Sequence, residues 1–519
     1  MEPERVSFFQ QYFQSKIFSL YHEKRSKNND TCLLIENNEE HDFYITEHVD
    51  FTQIPVYVID PEGCQDPDDG FSIYFEEEKC FLAIHIADPT HWIDPYSSLF
   101  KDILSKATTH YPSNSSPIHL MPQEIVEKSC LAENKFGMYK NALTLVTEID
   151  QETNLPIGCM NLYFTTIKLS KYLSFDYKKA SKFIKQHDPL KIGVQIGEAL
   201  LKKRCETTIG AQMNNYLKSG IKWGKDGTCI MVQETIEEKL FKDMIAEFAI
   251  LANSFIGNYL HEHLSELGMF RACDQLTTLY DKREEKNEEK KEEKNEEKST
   301  INSQKLLMAL MEQGIKASYT VHHDPHKLVG ADLYCHMTSP IRRAPDCICH
   351  YLLKYIYFNQ HVLVPKNIPW NKEHLLSLAD HFTEKFRQNK KIQFIDNKLR
   401  YIQCIYSMLE DKKKELNNEQ ETIEYIDQVV QPHVSLTFCI SNYSGLFVNI
   451  NVTHIDYHAV YFSYRVKVKN IEFQKEYLDS NYKINVSYVP YFQNIDNESL
   501  PELDYFIREL FPKKMTQFS

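Results

Sequence analysis

Apolar residues gather into short runs over the first third of the chain. "IPVYVID" (Ile54–Asp60), "FSIYFEE" (Phe71–Glu77) and "CFLAIHIAD" (Cys80–Asp88) each mix β-branched and aromatic residues over the length of one strand. The second and third runs meet around "EEK", which predicts a hairpin. Further on the period lengthens. Across Ile236–Leu260, residues Leu240, Met244, Phe248, Leu251, Phe255 and Tyr259 recur at helical spacing, predicting a long, largely buried helix. Helical patterns also run from Cys347 to Phe358 and from His374 to Leu416, the latter rich in Lys and Arg. From about Val429 short aromatic and β-branched runs return: "SLTFCI", "LFVNINV", "AVYFSYRVKVKNI" and "KINVSYVPYF". They predict a small β-barrel at the C-terminal end, with a domain boundary near Gln420.

Composition narrows the class without naming a function. With 519 residues, 42% hydrophobic and 25% charged, the chain reads as a globular protein of several domains. It holds no run of about 18 apolar residues, so no helical membrane span is expected. The start, "MEPERVSFFQQYF", has early acids and no apolar h-region, so a signal peptide is not expected. The 13 cysteines are odd in number, scattered and without a CxxC pair, which argues against a disulfide scaffold or a zinc site. That usage suits a reducing, intracellular compartment, most simply the cytoplasm. A net charge of −14 disfavours indiscriminate coating of nucleic acid but leaves room for a local basic channel. One segment lacks any face to bury: "EEKNEEKKEEKNEEK" (Glu284–Lys298) has no apolar residue and reads as a solvated surface insertion within 282–300.

The stretch "IDPEGCQDPDDG" (Ile59–Gly70) carries the chemistry. Asp60, Asp66, Asp68 and Asp69 share one loop with Glu62, while two prolines and two glycines prevent a helix. Carboxylates so crowded repel, so either the loop is splayed in water or a cation neutralises it. Asp60 ends a strand and the others lead into the next, which gathers oxygens as a hard cation requires. An EF-hand would put Asp66, Asp68, Ile73 and Glu77 at positions 1, 3, 8 and 12 of its loop. Phe71 then stands where the sharp turn needs glycine, and strands flank the loop, so that reading fails. An isolated acidic surface turn would be the default reading of the motif alone.

The loop is not isolated. "HIADPTHWI" (His85–Ile93) follows it, then "YPSNSSPIHLMP" (Tyr111–Pro122), "AEFAILAN" (Ala246–Asn253), Phe270–Arg271 and "YCHMTSPIRRAPDCICHYLL" (Tyr334–Leu353). In content and order these motifs resemble the ribonuclease II / ribonuclease R family of exoribonucleases over roughly residues 50–410, and "HMTSPIRR" is the most specific of them.

The resemblance implies an α+β fold: an RNB catalytic domain over 51–420, with a mixed sheet and surrounding helices, preceded by a short extension (1–50). A C-terminal β-rich domain of OB type, RNA-binding, would follow over 421–519. It implies a magnesium-dependent enzyme, manganese being the natural substitute, that hydrolyses single-stranded RNA from a free 3′ end to 5′-nucleoside monophosphates. By the same carry-over Asp60, Asp66, Asp68 and Asp69 are the metal-binding acids. Asp68 is the least replaceable of the four and, with Arg342, catalytic; Arg342 would stabilise charge on the scissile phosphate. Tyr111 matches the aromatic that stacks on a terminal base, and Glu247, Tyr334, His336, Thr338, Ser339 and Arg343 fall at RNA-binding positions. For Glu247 a neighbour-satisfying role on a buried helix face stands beside the functional one, and Ser339 has a second reading as a helix cap. His85 and His91 read as core histidines rather than ligands.

The chain departs from the family in places. Phe175 stands where the family has a tyrosine, no acid aligns with a later glutamate near "NKKIQFIDNKLR", and about 50 residues precede the catalytic domain where two cold-shock modules are usual. The alternative is thus a catalytically weak RNB-fold RNA-binding subunit, relying on a protein partner in place of those modules. A protein–protein module, docking through the charged insertion, is the remotest reading.

Overall fold

A computed structural model describes residues 19–21, 42–113, 115–208, 211, 219–223, 229–264, 267–273, 317–361 and 367–415, and five C-terminal strands within 434–487. The charged insertion and the boundary near Gln420 lie outside the described residues.

The strand-like runs form the expected strands. β1 (Val49–Phe51), β3 (Asp69–Glu76), β4 (Lys79–Ala87), β5 (Tyr139–Ile149) and β6 (Pro156–Lys168) make one sheet in the order β1-β6-β5-β4-β3. β1 runs parallel to β6 and the other neighbours are antiparallel, so the sheet is mixed. β2 (Val58–Asp60) instead pairs in parallel with β7 (Ser174–Asp176). The hairpin at "EEK" is present: Glu76 faces Lys79, and Glu77 and Glu78 take φ of +48° and +68°. Two consecutive left-handed residues match the right-handed twist of the strands they join. β4 is buried along nearly its whole length, as a central strand covered on both faces must be. Within it His85 is fully buried and satisfied by Ser72 Oγ (2.9 Å) and Thr144 Oγ1 (2.8 Å), a core histidine as expected.

Helices cover this sheet. In chain order they are α1 (Ser98–Lys106), α2 (Gln123–Ser129), α3 (Tyr177–Phe183), α4 (Asp188–Thr207), α5 (Ile236–His263), α6 (Ala344–His361) and α7 (Lys372–Glu415). α5 starts at a capping box in which Thr235 and Glu238 satisfy each other's backbone N–H. Its Phe248 meets Phe71 of β3 edge to face at 5.5 Å, a contact worth about 0.5–1.5 kcal/mol beyond area burial. In α6 the stretch Cys347–Leu353 is completely buried but for 1% of Leu353, and it holds charge as well: Lys354 pairs with Asp88 at 2.8 Å, both almost wholly out of water. That pair joins the end of "HIAD" to α6. The small 3-10 turn at Pro89–His91 follows from it.

The C-terminal strands match the predicted runs. Val434–Ser441, Gly445–Thr453 and Val460–Lys467 form an antiparallel three-stranded sheet, and Asn470–Glu472 pairs with Asn485–Ser487. Among the described residues no helix is long and apolar enough to cross a membrane.

Helix α4 packs against α5 at a glycine. A Cβ on Gly197 of α4 would lie 2.7 Å from Met244 Cα of α5, and backbone cannot yield as a side chain can. Alanine gains about 1 kcal/mol of helix propensity over glycine, but overpacking at a backbone contact costs about 1–3 kcal/mol. Gly197→Ala is therefore expected to lower the thermal midpoint by a few degrees in differential scanning fluorimetry. An unchanged or raised midpoint would show that α4 and α5 separate freely.

Candidate active site

The acidic loop is held at both ends by the strands it joins. Asp60 closes β2 and Asp69 opens β3. Between them Gly63 takes φ of +81°, a conformation glycine adopts without strain. Gly70 lets β3 pass close to β2: a Cβ there would sit 3.0 Å from Tyr57 O. The Pro67 and Asp68 carbonyls accept from Leu131 N (2.9 Å) and Ala87 N (2.8 Å), which fixes the loop against β4 and the end of α2.

Asp68 reaches across the molecule. It is 4% exposed; Oδ1 accepts from Ile341 N (2.8 Å) and Oδ2 from Arg342 Nε (3.2 Å). Both contacts donate to it, a geometry that selects the carboxylate form. Arg342 also donates from Nη2 to Ser339 Oγ (2.7 Å), while 44% of its side chain stays open to solvent. The turn bearing Arg342 is braced by Ser339 N donating to Asp346 Oδ1 (2.8 Å), and Arg343 pairs with that same acid at 2.7 Å. Ser339 does not cap the following helix, which begins at Ala344; its hydroxyl serves Arg342 instead.

Tyr111 is brought in by the same turn. Thr109 N donates to Arg342 O (3.0 Å), and Thr108 bridges Arg343 in a single antiparallel step. Two residues after Thr109, the Tyr111 hydroxyl donates to Asp66 Oδ2 (2.7 Å) with 37% of the residue exposed. Asp60, Asp66, Asp68, Arg342 and Tyr111 thus belong to one connected site.

Its electrostatics are those of buried acids that outnumber the cations beside them. Burial, then the charge of Asp69, pushes Asp60 up to about 7, and burial pushes Asp69 up to about 6 against Arg342 and Arg343. Burial also drives Asp68 upward, opposed by Arg342 and the Ile341 N–H. Among the described residues no three His, Cys, Asp or Glu side chains stand together as a ready-made metal cage. The donor chemistry nevertheless fits a hard divalent cation: Asp60 Oδ2 is buried with no hydrogen-bond partner, and carboxylate oxygen is what such ions take. Both oxygens of Asp68 are engaged by donors of the Ile341–Arg342 turn.

The other predicted positions divide. Tyr334, 7% exposed, and buried Thr338 both accept from Asn253 Nδ2 (3.1 and 3.3 Å), and His336 Nδ1 lies 2.8 Å from the Tyr319 hydroxyl. Glu247, 3% exposed, is gripped by Arg204, with Nε donating at 2.9 Å and Nη2 at 2.5 Å. Of its two readings, the structure displays the neighbour-satisfying one. Phe175, where a family tyrosine is absent, is buried in β7 beside Phe183 and His187.

Several participants escaped sequence reasoning. The Cys64 thiol lies 3.6 Å from Asp60 Oδ1 and 3.7 Å from Asp66 Oδ1, and His119 Nδ1 is 3.7 Å from Asp66 Oδ2. Their motifs, "EGCQD" and "PIHLMP", were on view, but neither spacing announces convergence. Asp346 was legible in principle, three residues after Arg343 at the start of a helix.

Comparison with known proteins gives the family of the chain and its fold. The model of the RNB domain matches residues 48–359. Ribonuclease R of Helicobacter pylori is 25% identical over 339 residues, covering 60% of this chain and 50% of that protein. The mitochondrial exoribonuclease II of Saccharomyces cerevisiae is 24% identical, covering 59% of this chain and 34% of that protein. The chain spans about half the length of the curated ribonuclease R relatives it matches. Among solved structures, Mycoplasma genitalium RNase R in complex with ribose-methylated single-stranded RNA superposes with a TM-score of 0.62 at 16% identity, over 85% of this chain and 68% of that one. Yeast Ssd1, a pseudonuclease, reaches 0.55 at 15% identity, over 82% and 52%. Both likenesses establish a shared fold.

The raised carboxyls give a pH-dependent expectation. Free carboxyls of this type titrate near 3.8, whereas Asp60 and Asp69 in the fold titrate near 7 and 6. Between about pH 4 and pH 7 the folded chain therefore holds protons that the unfolded chain has released, so raising the pH through that window costs stability. A cation replaces those protons. Magnesium is expected to raise the thermal midpoint by a few degrees at pH 7.5, about 1–3 kcal/mol at saturation, and far less at pH 5. Asp60→Asn should shrink the gain at pH 7.5. Equal gains at both pH values, or none, would remove the acid cluster as a cation site.

Proposed function

Because the chain belongs to the RNB-domain family, whose model covers residues 48–359, we propose that it is a magnesium-dependent hydrolytic 3′-to-5′ exoribonuclease. Its substrate is single-stranded RNA and its products are 5′-nucleoside monophosphates. One observation carries the reading: the buried Asp68 carboxylate ties the acidic loop to Arg342, leaving that guanidinium both oriented and accessible. Asp60, Asp66 and Asp69 are the acids placed to hold the cation, which when bound supplies neutralising charge and a more acidic water.

The rest of the work falls to side chains of this chain. Asp68 fixes Arg342 through Nε, so the guanidinium meets a phosphate already oriented and without reorganisation in the transition state. Its charge is permanent, and its planar donors match phosphate oxygens. The Tyr111 ring is pinned by its hydroxyl to Asp66 with its surface partly open, a platform for the terminal base worth about 1–3 kcal/mol per stacked base. Stacking needs unpaired bases, which selects single strands with a free end. RNA contacts from Tyr334, His336, Thr338, Ser339 and Arg343 belong to this proposal, as does an OB-type RNA-binding role for the strands beyond 421. Glu247 contributes by positioning α5 through Arg204.

The alternative, an RNA-binding subunit without turnover, is favoured by the shared fold with the pseudonuclease Ssd1. The intact Asp68–Arg342 joint and the acid cluster beside it favour turnover.

Single-turnover cleavage of a 5′-labelled RNA separates the two. With magnesium the chain should shorten the RNA progressively from its 3′ end, and excess chelator should abolish this. Arg342→Ala should lower the rate by about 10² or more, in line with loss of a preorganised charge, while affinity measured in chelator changes little. Asp68→Asn should do the same, since an amide presents an N–H toward the donors of Arg342 or Ile341. Tyr111→Ala should chiefly change the length of the end product. Wild-type cleavage by Asp68→Asn would refute this site, and RNA binding without cleavage by the unaltered chain would establish the alternative.

A further inference from the structure

Arg271 occupies the middle of β8 (Phe270–Ala272), opposite Tyr319 of β9 (Ser318–Thr320), and is only 8% exposed. Its backbone N–H donates to Tyr334 O (2.7 Å), which ties it to the segment leading to Arg342. Its guanidinium lies over the Tyr319 ring at 4.6 Å. Beyond that ring it has no partner: among the described residues its side chain forms no ion pair and no hydrogen bond, and Nη1 is buried without an acceptor.

The neighbouring buried arginines behave differently. Arg204 holds Glu247 and Arg343 holds Asp346. The groups that act most on Arg271 are Tyr319, Arg343, Cys273 and Tyr334, so the formal charge among them has its own sign. Burying an unpaired cation beside another cation is unfavourable, and a ring face compensates it only in part. For packing alone a long apolar side chain would serve better. The surroundings lean positive as well: Arg343, Arg271 and Arg342 all act on His336, whose imidazole burial and these charges hold neutral. A planar cation, desolvated, preoriented by a ring and lacking its anion, is built to receive an oxyanion with two acceptor oxygens.

We propose that Arg271 binds a phosphodiester group of the RNA strand other than the scissile one, the RNA supplying the anion that the fold withholds. This rests on the reading of the protein as an RNA-binding RNB enzyme. It makes Arg271 a binding residue that sets the register of the strand in the site.

The test uses the full chain in chelator, where binding is read without turnover. Anisotropy of a 5′-labelled single-stranded RNA of about 12 nucleotides is followed against salt for the unaltered protein and Arg271→Met, with thermal midpoints of both in the absence of RNA. Arg271→Met is expected to weaken binding about tenfold and to reduce the salt slope by about 0.7, one single-strand phosphate contact. Its thermal midpoint should be unchanged or raised, since an unpaired buried charge is gone. RNAs carrying one neutral methylphosphonate, placed in turn at each linkage near the 3′ end, locate the contact. At one linkage the neutral group should weaken binding to the unaltered protein and leave binding to Arg271→Met unaffected. A lowered midpoint with unaltered affinity and salt slope would make Arg271 a structural residue and overturn the proposal. So would methylphosphonate effects of equal size in both proteins at every linkage. Failure of the nuclease reading alone looks different: the unaltered protein would bind with these signatures yet leave RNA uncut when magnesium is restored.

Discussion

The site depends on one buried carboxylate. Asp68 and the Ile341–Arg342 turn are 273 and 274 positions apart in sequence, and their hydrogen bonds close the acidic loop of the sheet against the entrance to α6. Each side needs the other. Burial raises the Asp68 carboxyl well above its usual range, and the donors of Ile341 and Arg342 are what oppose that rise. Without Asp68, Arg342 would keep only its contact to Ser339, and the turn that positions Tyr111 through Thr108 and Thr109 would lose its anchor. The orientation of Arg342 and the closure of the tertiary structure are here the same interaction.

Around that joint the chain manages buried charge in two ways. Three buried or nearly buried cations are paired: Lys354 with Asp88 beneath the "HIAD" turn, Arg204 with Glu247 between α4 and α5, Arg343 with Asp346 at the start of α6. Removing one member of such a pair leaves the other charged and desolvated, which costs more than the pair contributes. Two other buried groups are left without a counterpart. Asp60 keeps a buried oxygen without a donor, and Arg271 a buried donor without an acceptor.

The sequence made much of this legible because the chemistry is local. The acidic loop, its flanking strands and the two-residue hairpin follow from spacing within about thirty residues, and the long helix of Ile236–His263 follows from its period. The motif "HMTSPIRR" pointed to Arg342, and its contact with Asp68 followed only from the fold. Contacts that join distant segments without a recurring spacing were not legible. Nothing near Glu247 marks Arg204 as its partner 43 positions earlier, and nothing in "EGCQD" or "PIHLMP" says that a thiol and an imidazole stand within 4 Å of Asp66. Ser339 shows the limit of local rules: serine before a helix reads as a cap, yet its hydroxyl is claimed by an arginine three residues on.

The likeness to Ssd1 sharpens what a fold can establish. A shared sheet and helix arrangement at 15% identity permits hydrolysis without requiring it. What distinguishes the two outcomes is whether the expensive features persist. Four acids in one loop repel: burial and the charge of Asp69 raise Asp60 to about 7, and burial raises Asp69 to about 6 against Arg342 and Arg343. A scaffold that only bound RNA would gain from losing them, because acids beside a phosphate backbone weaken its grip. Their retention beside an oriented, accessible Arg342 makes sense when a cation sits between protein and phosphate, where the same charges that oppose RNA binding hold the ion that hydrolysis requires.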